Sequence, residues 1–251
     1  MKINIMTLFP EQIDAVMGGS IIGKAANKGL IEITATNIRD FSPIRNKRTD
    51  DYPYGGGKGL VMLAEPLYLC HSHLCEKAGR RLHTILMSAQ GRTFTQKRAK
   101  ELLKLEHIIL VCGHYEGVDE RFIEECVDEE ISLGDFVMTG GEIPAMAIAD
   151  TICRMVPGVL SEEVCFTDES HWDGVLEYPQ YTRPEVWRGR KVPSVLLSGH
   201  HANIAKWQRR QALIRTMRRR PELLAKAELS YEDNVFISET LYKLSKDTDE
   251  E

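Results

Sequence analysis

Short uninterrupted apolar runs alternate along the chain with stretches in which apolar residues recur every three or four positions. The runs predict buried strands, because strands covered on both faces of a parallel sheet lose the strict alternation of apolar and polar residues. The amphipathic stretches predict helices, and strands that alternate with helices are typical of an α/β domain. Predicted strands cover residues 2–9, 30–36, 83–92, 107–112 and the run that ends at Gly134; predicted helices follow Pro10 and cover residues 20–28, 65–79, 95–105, 118–126 and 144–155.

Two of the predicted strands run into small residues. One ends on Ser88 and Gly91, and the next runs into Gly113 and Gly117 with Glu116 between them. Glycines permit backbone angles and close approaches that other residues forbid. Because ligands of open α/β folds bind outside the carboxyl ends of the strands, we expect a crevice at that edge of a mostly parallel sheet.

A third strand end lies in residues 131–145, which read ISLGDFVMTGGEIPA. Gly134 ends the apolar run, Gly140 and Gly141 follow, and Pro144 suits the first turn of a helix because its missing N–H costs nothing there. The pattern predicts a strand, two tight loops and a helix, with backbone N–H and C=O groups free to face a ligand. A plain glycine-rich connection in an α/β domain explains the same stretch, since glycine pairs are weak motifs.

The last third of the chain differs in charge and periodicity. Residues 183–226 carry 12 Lys or Arg against two acidic residues, a local balance of +10 in a chain of net charge −5, so the remainder carries −15. This segment favours a polyanion-binding surface, although a solvated basic helix face explains it too. Its helical pattern predicts a small all-α domain, and the acidic, non-periodic residues before it predict a linker. The expected division is an α/β domain at 1–160, a linker at 161–174 and a helical domain at 175–251.

Composition limits the class of protein and its compartment. The chain has 251 residues, of which 43% are hydrophobic, enough to bury one large or two modest cores. The six cysteines show no paired CxxC spacing, and the start MKINIMTLF lacks a basic region followed by a long apolar core. We therefore expect free thiols in a cytoplasmic protein. Because no apolar run approaches the roughly 20 residues of a bilayer-spanning helix, we do not expect membrane insertion.

Two short motifs indicate less than they first suggest. The GGGKG run at 55–59 lacks the Gly-Lys-Ser/Thr ending of a phosphate-binding loop. It ends a polar, glycine-rich segment at 43–59 that shows no clear periodicity, so we expect a mobile surface loop over that whole segment. Cys70, His71, His73 and Cys75 suggest zinc, yet only residues three or four apart share a helix face. Core thiols with exposed histidines are the expected arrangement.

Four runs carry a resemblance that spans essentially the whole chain: YPYGGGKGLVM, LVCGHYEGVDERF, SLGDFVMTGGEIPA and YPQYTRPEVWRG. In this order they resemble the motifs of bacterial tRNA (guanine-N1)-methyltransferases, the TrmD family of knotted SPOUT methyltransferases. The resemblance implies methyl transfer from S-adenosylmethionine to N1 of guanosine 37, on the 3′ side of the tRNA anticodon. It also implies a C-terminal trefoil knot in the α/β domain, and a homodimer that joins the donor pocket of one subunit to the linker carboxylate of the other. A magnesium ion is implied as well, although no ligand cluster in the sequence demands one.

The chemistry of this reaction points to two side chains. N1 of guanine carries a proton at neutral pH, so a base must remove it as the methyl group arrives, and a cation near O6 would stabilise the developing charge. In the family the base is an aspartate followed by serine, whereas the run TDES places Glu169 at the matching position here. Either Glu169 is the base or Asp168 takes part. Arg154 matches the cationic residue of the family. Without the resemblance, we would expect its side chain to form a salt bridge at the end of a helix.

The remaining site residues follow from the resemblance and, in the last third of the chain, from its basic and aromatic side chains. Donor-binding residues are expected at the three strand ends, namely Met87, Ser88, Gly113, Glu116, Gly117, Ile131, Ser132, Leu133, Gly134, Asp135, Phe136, Val137, Met138, Gly140, Gly141 and Pro144. RNA-binding residues are expected in the flexible loop and the basic segment, namely Tyr54, Gly55, Gly56, Gly57, Lys58, Gly59, Tyr181, Arg183, Arg188, Arg209 and Arg215. Aromatic and arginine side chains hold flipped or single-stranded nucleotides, but Tyr181 and the nearby Trp187 are equally expected as core anchors. Glu116 is equally expected as a helix cap.

Two other functions compete with this interpretation. A knotted methyltransferase acting on a ribose hydroxyl would not need a carboxylate beside an arginine, so Glu169→Gln would then cost little rate. A non-catalytic RNA-binding protein would use the basic helix and would have lost the donor site. The intact glycine pattern speaks against that second alternative.

Overall fold

The computed structural model of the chain describes residues 1–162, 164–167 and 169–248. The strands are β1 Lys2–Thr7, β2 Glu32–Asn37, β3 Asp50–Asp51, β4 Val61–Met62, β5 His83–Thr93, β6 His107–Cys112, β7 Glu129–Ser132, β8 Val186–Trp187 and β9 Arg190–Lys191. The helices are α1 Pro10–Met17, α2 Ser20–Asn27, α3 Ala64–Ala78, α4 Gln96–Leu103, α5 Glu120–Cys126, α6 Glu142–Cys153, α7 Val164–Thr167, α8 Ser194–Leu197, α9 His201–Arg219, α10 Pro221–Leu224 and α11 Tyr231–Thr248.

A five-stranded parallel sheet, in the order β2-β1-β6-β5-β7, forms the centre of the first part of the chain. Its middle strand β6 reads HIILVC, and all of its residues after His107 are completely buried. Inner strands of a parallel sheet are covered on both faces, which explains why this run is continuously apolar. The predicted α/β fold with a mostly parallel sheet is confirmed.

Helices cover the sheet and bury its side chains. A core cluster joins Leu67 of α3, Val111 of β6 and Phe122 of α5. Helix α6 packs against β1, β6, α1 and α4, and its side chains Ile148 and Ile152 are completely buried. Helix α6 is therefore packed against the sheet and against its neighbouring helices.

Two local expectations need correction. The segment at 43–59 is not without regular structure, because β3 within it pairs with β4 in an antiparallel ribbon. The expectation of exposed histidines in α3 is wrong at His71, which is buried with its Nε2 atom 3.0 Å from Thr84 Oγ1, and right at His73. His71 follows Leu67 by four residues and therefore shares the inward face of the helix.

The chain divides into two compact units, Met1–Glu163 and Val164–Glu251. The second unit is mainly helical and has its own small core around Val175, Ala212 and Leu213. It departs from the expected all-α domain in one respect, since β8 and β9 form a short antiparallel ribbon. Within the described residues, every helix is too short or too polar to span a bilayer.

Candidate active site

A cavity of about 310 Å³ lies where β5, β6 and β7 end, at the carboxyl edge of the sheet. The strand ends that the sequence predicts to form one crevice meet here. Every residue predicted to bind the donor lines this cavity except Gly134 and Asp135. Residues that line it without having been predicted include Leu86, Gln90, His114, Tyr115, Glu130 and Thr139.

Two glycines allow the walls of this cavity to come together. A Cβ atom on Gly141 would lie only 2.5 Å from the Cα atom of Cys112, and a Cβ atom on Gly140 would overlap the His114 ring. The N–H of Gly141 donates to the carbonyl oxygen of Gly113 over 3.0 Å. The turn before α6 therefore rests directly on the end of β6, and only glycine permits this approach.

A buried hydrogen-bonded network supports these two loops from beneath. The carboxylate of Glu142, only 3% exposed, accepts a bond of 2.6 Å from Thr7 Oγ1 and lies 2.7 Å from Nε2 of His114. Burial alone would raise the pKa of Glu142, but the bonds from His114 and Thr7 outweigh it and leave that pKa below its ordinary value. The network ties the end of β1, the loop after β6 and the start of α6 to one another.

Sequence reasoning missed this network, although its residues lie inside the motifs. His114 lies in the run GHYEG, and Glu142 directly follows Gly141. The glycines of these runs were assigned to ligand binding, and His114 and Glu142 were given no role. The only available signal was a histidine and a carboxylate beside two glycine loops. Thr7 lies 135 residues from Glu142 in the sequence, so only the folded structure reveals the hydrogen bond between them.

The glycine-rich loop reaches the rim of the same cavity. A Cβ atom on Gly59 would overlap the carboxylate of Glu116, and the N–H of Glu116 donates to the carbonyl oxygen of Leu60 over 2.9 Å. Tyr54 at the tip of the loop is 99% exposed. The structure thus brings the loop at 54–59 next to Glu116, with an aromatic side chain open to solvent.

Arg154 is the C-cap residue of α6 and lines a second cavity, of about 570 Å³, on the first unit. Its other walls come from α1, α2, the outer face of α6 and Leu160. Large apolar side chains stand exposed along it, among them Val16, Ile21 and Ile143. Arg154 therefore lies beside an apolar groove at the surface of this unit.

Glu169 belongs to the second unit, so the two candidate catalytic residues lie in different units. It lines a cavity of about 170 Å³ together with Asp173, Tyr178 and Arg209. The carbonyl oxygen of Glu169 accepts a bond of 3.3 Å from the N–H of Trp172. Asp168, the alternative base, lies outside the described residues.

The candidate RNA-binding aromatic residues of the second unit are exposed. Trp187, in the ribbon, is 57% exposed with the Arg188 guanidinium 5.1 Å from its ring centroid, and Tyr181 is 48% exposed with its ring 6.4 Å from that of Trp207. Exposures of this size contradict the alternative that Tyr181 and Trp187 are core anchors.

The candidate arginines differ in their surroundings. Arg183 and Arg188 are exposed, and Arg215 is half-buried on α9. Arg209 is bound to two carboxylates, with Nη1 2.6 Å from Asp173 Oδ2 and Nη2 2.9 Å from Asp233 Oδ2. Its positive charge is therefore already compensated within the second unit.

Metal binding finds little support in the side chains that the structure describes. Among them, no group of three or more His, Cys, Asp or Glu side chains could hold an ion. The four residues of α3 that suggest zinc do not form a site: Cys70 is completely buried, whereas His73 is exposed.

Comparison with known proteins finds one family model and relatives that share the same description. The model of a family described as tRNA (Guanine-1)-methyltransferase TrmD matches residues 1–226. The chain is 56% identical over 226 residues to the tRNA (guanine-N(1)-)-methyltransferase of Ruminiclostridium cellulolyticum, covering 90% of this chain and 97% of that protein. Proteins of the same name from Pelotomaculum thermopropionicum, 51% identical over 98% of both chains, and Geotalea uraniireducens, 52% identical over 95% of this chain and 96% of that one, are similarly close.

Proposed function

The chain belongs to the tRNA (guanine-1)-methyltransferase family TrmD and is a tRNA guanine-N1 methyltransferase; we propose that its target is guanosine 37, 3′ of the anticodon. The activity follows from the family and from the names of the relatives. The position in the tRNA follows from the resemblance of the four sequence motifs. Its substrate implies that the enzyme works in the cytoplasm.

We infer that the cavity at the carboxyl edge of the sheet holds S-adenosylmethionine, and we call it the donor cavity. When bound, this donor supplies an electrophilic methyl group on a sulfonium that leaves as a neutral thioether. The cavity suits such a molecule, because Gly113, Gly117 and Gly141 line it without side chains, so the backbone can approach a ligand closely there. Glu116 adds a negative charge at the rim, which favours the cationic amino-acid end of the donor.

The reaction on guanine needs a base and a cation, and we propose Glu169 and Arg154 for these roles. Glu169 takes the proton from N1, and the Arg154 guanidinium stabilises the charge that develops at O6. Asp168 stays the alternative base. A magnesium ion stays an expectation from the resemblance, and we assign no step to it.

We further propose that the protein acts as a homodimer with a composite active site. The groove that holds Arg154 supports this, because exposed apolar side chains such as Ile21 and Ile143 line it and a second copy of the chain would cover them. We infer the SPOUT trefoil knot in the loops around the donor cavity. The contact of Gly141 with Cys112 is the kind of close passage that such threading needs.

For the RNA, we propose that the loop at 54–59 lies against the target base and that the second unit holds the surrounding nucleotides. The exposed aromatic and arginine side chains Tyr181, Arg183 and Arg188, with Arg215 on α9, support this role. Arg209 fits it less well because two carboxylates already surround its guanidinium.

The three strand ends meeting in one glycine-walled cavity carry this proposal, and a methylation assay tests it. We expect Glu169→Gln to lower kcat about 10²- to 10⁴-fold, as loss of a general base does, with unchanged calorimetric binding of S-adenosylmethionine. Asp168→Asn, measured in parallel, shows which carboxylate is the base. A transcript with A at position 37 should not be methylated.

Three outcomes would contradict this proposal. Full activity of both Glu169→Gln and Asp168→Asn would contradict the base mechanism, which methylation of a ribose hydroxyl would not need. Absence of saturable S-adenosylmethionine binding by the wild-type protein would contradict the assignment of the donor cavity. Methylation that ignores the change from G to A would contradict the assignment of the target.

A further inference from the structure

Arg209 joins two separate segments of the second unit. Its Nε and Nη2 atoms donate to the carboxylate of Asp233, at 3.1 and 2.9 Å, and its Nη1 atom donates to Asp173 Oδ2 at 2.6 Å. Asp233 is 6% exposed and also accepts a bond of 3.0 Å from the N–H of Ser230. One side of the guanidinium is thus fixed against a buried carboxylate of α11, and the other side is directed at Asp173.

Asp173 lies in the segment that carries Glu169, which we call the 169–177 turn. Its Oδ1 atom accepts a bond of 3.3 Å from the N–H of Val175, and the N–H of His171 donates to the Val175 carbonyl oxygen over 2.9 Å. The Ser170 hydroxyl oxygen accepts a bond of 3.1 Å from the N–H of Glu177. The turn therefore has a defined internal hydrogen-bond pattern in which the Asp173 carboxylate takes part.

Helix α9 holds this turn at a second point. The N–H of Leu176 donates to Thr216 Oγ1 over 2.9 Å, and Thr216 is completely buried. Nearby, a Cβ atom on Gly174, which has φ +90°, would come within 2.8 Å of the Cα atom of Ala227, so only glycine lets the turn approach this closely. Arg209 and Thr216 thus form two anchors for the turn on one helix.

We propose that Arg209 is a positioning residue that fixes the 169–177 turn on α9, and that this anchoring sets where Glu169 can be presented to the guanine. The inference rests on the proposed role of Glu169 as the base. Arg209 lies in the basic segment, which suggests a contact with RNA. The inference instead gives it a structural role within the second unit. A guanidinium that donates to two carboxylates has few donors left for phosphate.

The change that tests this anchor is Asp173→Ala, because it removes the contact with the turn and leaves the buried pair of Arg209 and Asp233 in place. Hydrogen exchange should become faster at the amides of Val175, Leu176 and Glu177, while α9 keeps its protection. We expect kcat to fall about ten- to a hundredfold, as for a small misplacement of a reacting group, with little change in KM for tRNA. Asp173→Asn, which keeps an oxygen acceptor, should recover part of the loss.

Two matched variants control for charge. Glu239→Ala removes an exposed carboxylate from α11, and Arg218→Met removes an exposed arginine from α9. We expect Glu239→Ala to leave the exchange of the turn and kcat unchanged, and Arg218→Met to leave the exchange of the turn unchanged. Arg209→Met should repeat the exchange result of Asp173→Ala, with an added loss of thermal stability from the unpaired, buried Asp233.

The outcomes separate this inference from the proposed function. Unchanged exchange of the turn in Asp173→Ala would overturn the anchor, and so would faster exchange with unchanged kcat. A rise in KM for tRNA with unchanged kcat would instead show Arg209 and Asp173 serving RNA binding, and would also overturn it. Full activity of Glu169→Gln would refute the proposed role of Glu169 as the base, whereas the exchange measurement would still report whether the anchor exists.

Discussion

The buried carboxylate of Glu142 shows how one side chain can hold together the loops around the donor cavity. It accepts bonds from Thr7 and lies within hydrogen-bond distance of His114, at 3% exposure. Glu142→Gln keeps the shape but removes the charge, so we expect it to lower the free energy of unfolding by about 1–3 kcal/mol. Urea denaturation measures this loss. Glu124→Gln, an exposed change on α5, is the control, and an equal effect in both variants would contradict the role of the network.

The same residue gives the stability a pH dependence. The pKa of Glu142 is lowered in the folded protein from its ordinary value of 4.5. Its contribution is therefore fully present above pH 4.5 and is lost as the pH falls through the folded pKa. We expect the difference in unfolding free energy between wild type and Glu142→Gln to be constant from pH 7 to pH 5 and to shrink below that range. A difference in unfolding free energy that grows as the pH falls would contradict this expected pH dependence.

Gly141 and Gly113 face the same cavity but differ in the space around them. A Cβ atom on Gly141 meets the Cys112 backbone at 2.5 Å, whereas one on Gly113 finds its nearest neighbour at 3.6 Å, an ordinary contact. We expect Gly141→Ala to destabilise the protein by about 1–3 kcal/mol and to weaken donor binding. Gly113→Ala should leave the thermal midpoint near that of wild type. Differential scanning calorimetry compares the two, and equal midpoints would contradict the packing argument.

At this scale the sequence identifies residue types better than their partners. The glycines were predictable because their backbone freedom is a property of the residue itself. Arg209 was grouped with RNA-binding arginines because a local charge count cannot reveal Asp173 and Asp233, which lie 36 and 24 residues away. His71 was misjudged for a similar reason, since its partner Thr84 lies on a strand.

At the scale of elements, the glycine-rich loop before β4 is open to solvent beside the donor cavity. Gly55, Gly56 and Gly57 all have positive φ angles, and Lys58 is exposed. If this loop lies against the target base, tRNA should protect Lys58 from trypsin, while S-adenosylmethionine alone should not. Mass spectrometry of the peptides measures the cleavage, with the exposed Lys28 after α2 as an internal control. Equal cleavage at Lys58 with and without tRNA would contradict a contact with this loop.

Long elements were predictable and very short ones were not. Strands β1, β5 and β6 match the predicted runs to within two residues, because each contains several apolar residues close together. Helices α3 and α4 match because their periodicity spans at least two turns. The ribbons β3–β4 and β8–β9 have two residues in each strand, which is too short for any alternation to be read from the sequence.

For the whole molecule, the apolar groove beside Arg154 gives the proposed homodimer a testable interface. Ile143 is 60% exposed there, so Ile143→Asp should place a charge in the interface, shift sedimentation towards the monomer and abolish methylation. Leu105→Asp, just after α4 and 37% exposed, is the matched control. A wild-type protein that is monomeric at micromolar concentration, or an Ile143→Asp variant that stays dimeric, would contradict this interface.

The donor cavity draws on three stretches that are far apart along the chain, the ends of β5 and β6 and the turn into α6. A polypeptide still being made on the ribosome presents the first two long before the third. If the cavity holds the methyl donor as proposed, the growing chain cannot retain that donor until α6 has emerged and the glycines before it lie against β6. From that moment the bound donor would stabilise the newly made domain by mass action, which would couple the cellular supply of donor to the yield of mature enzyme.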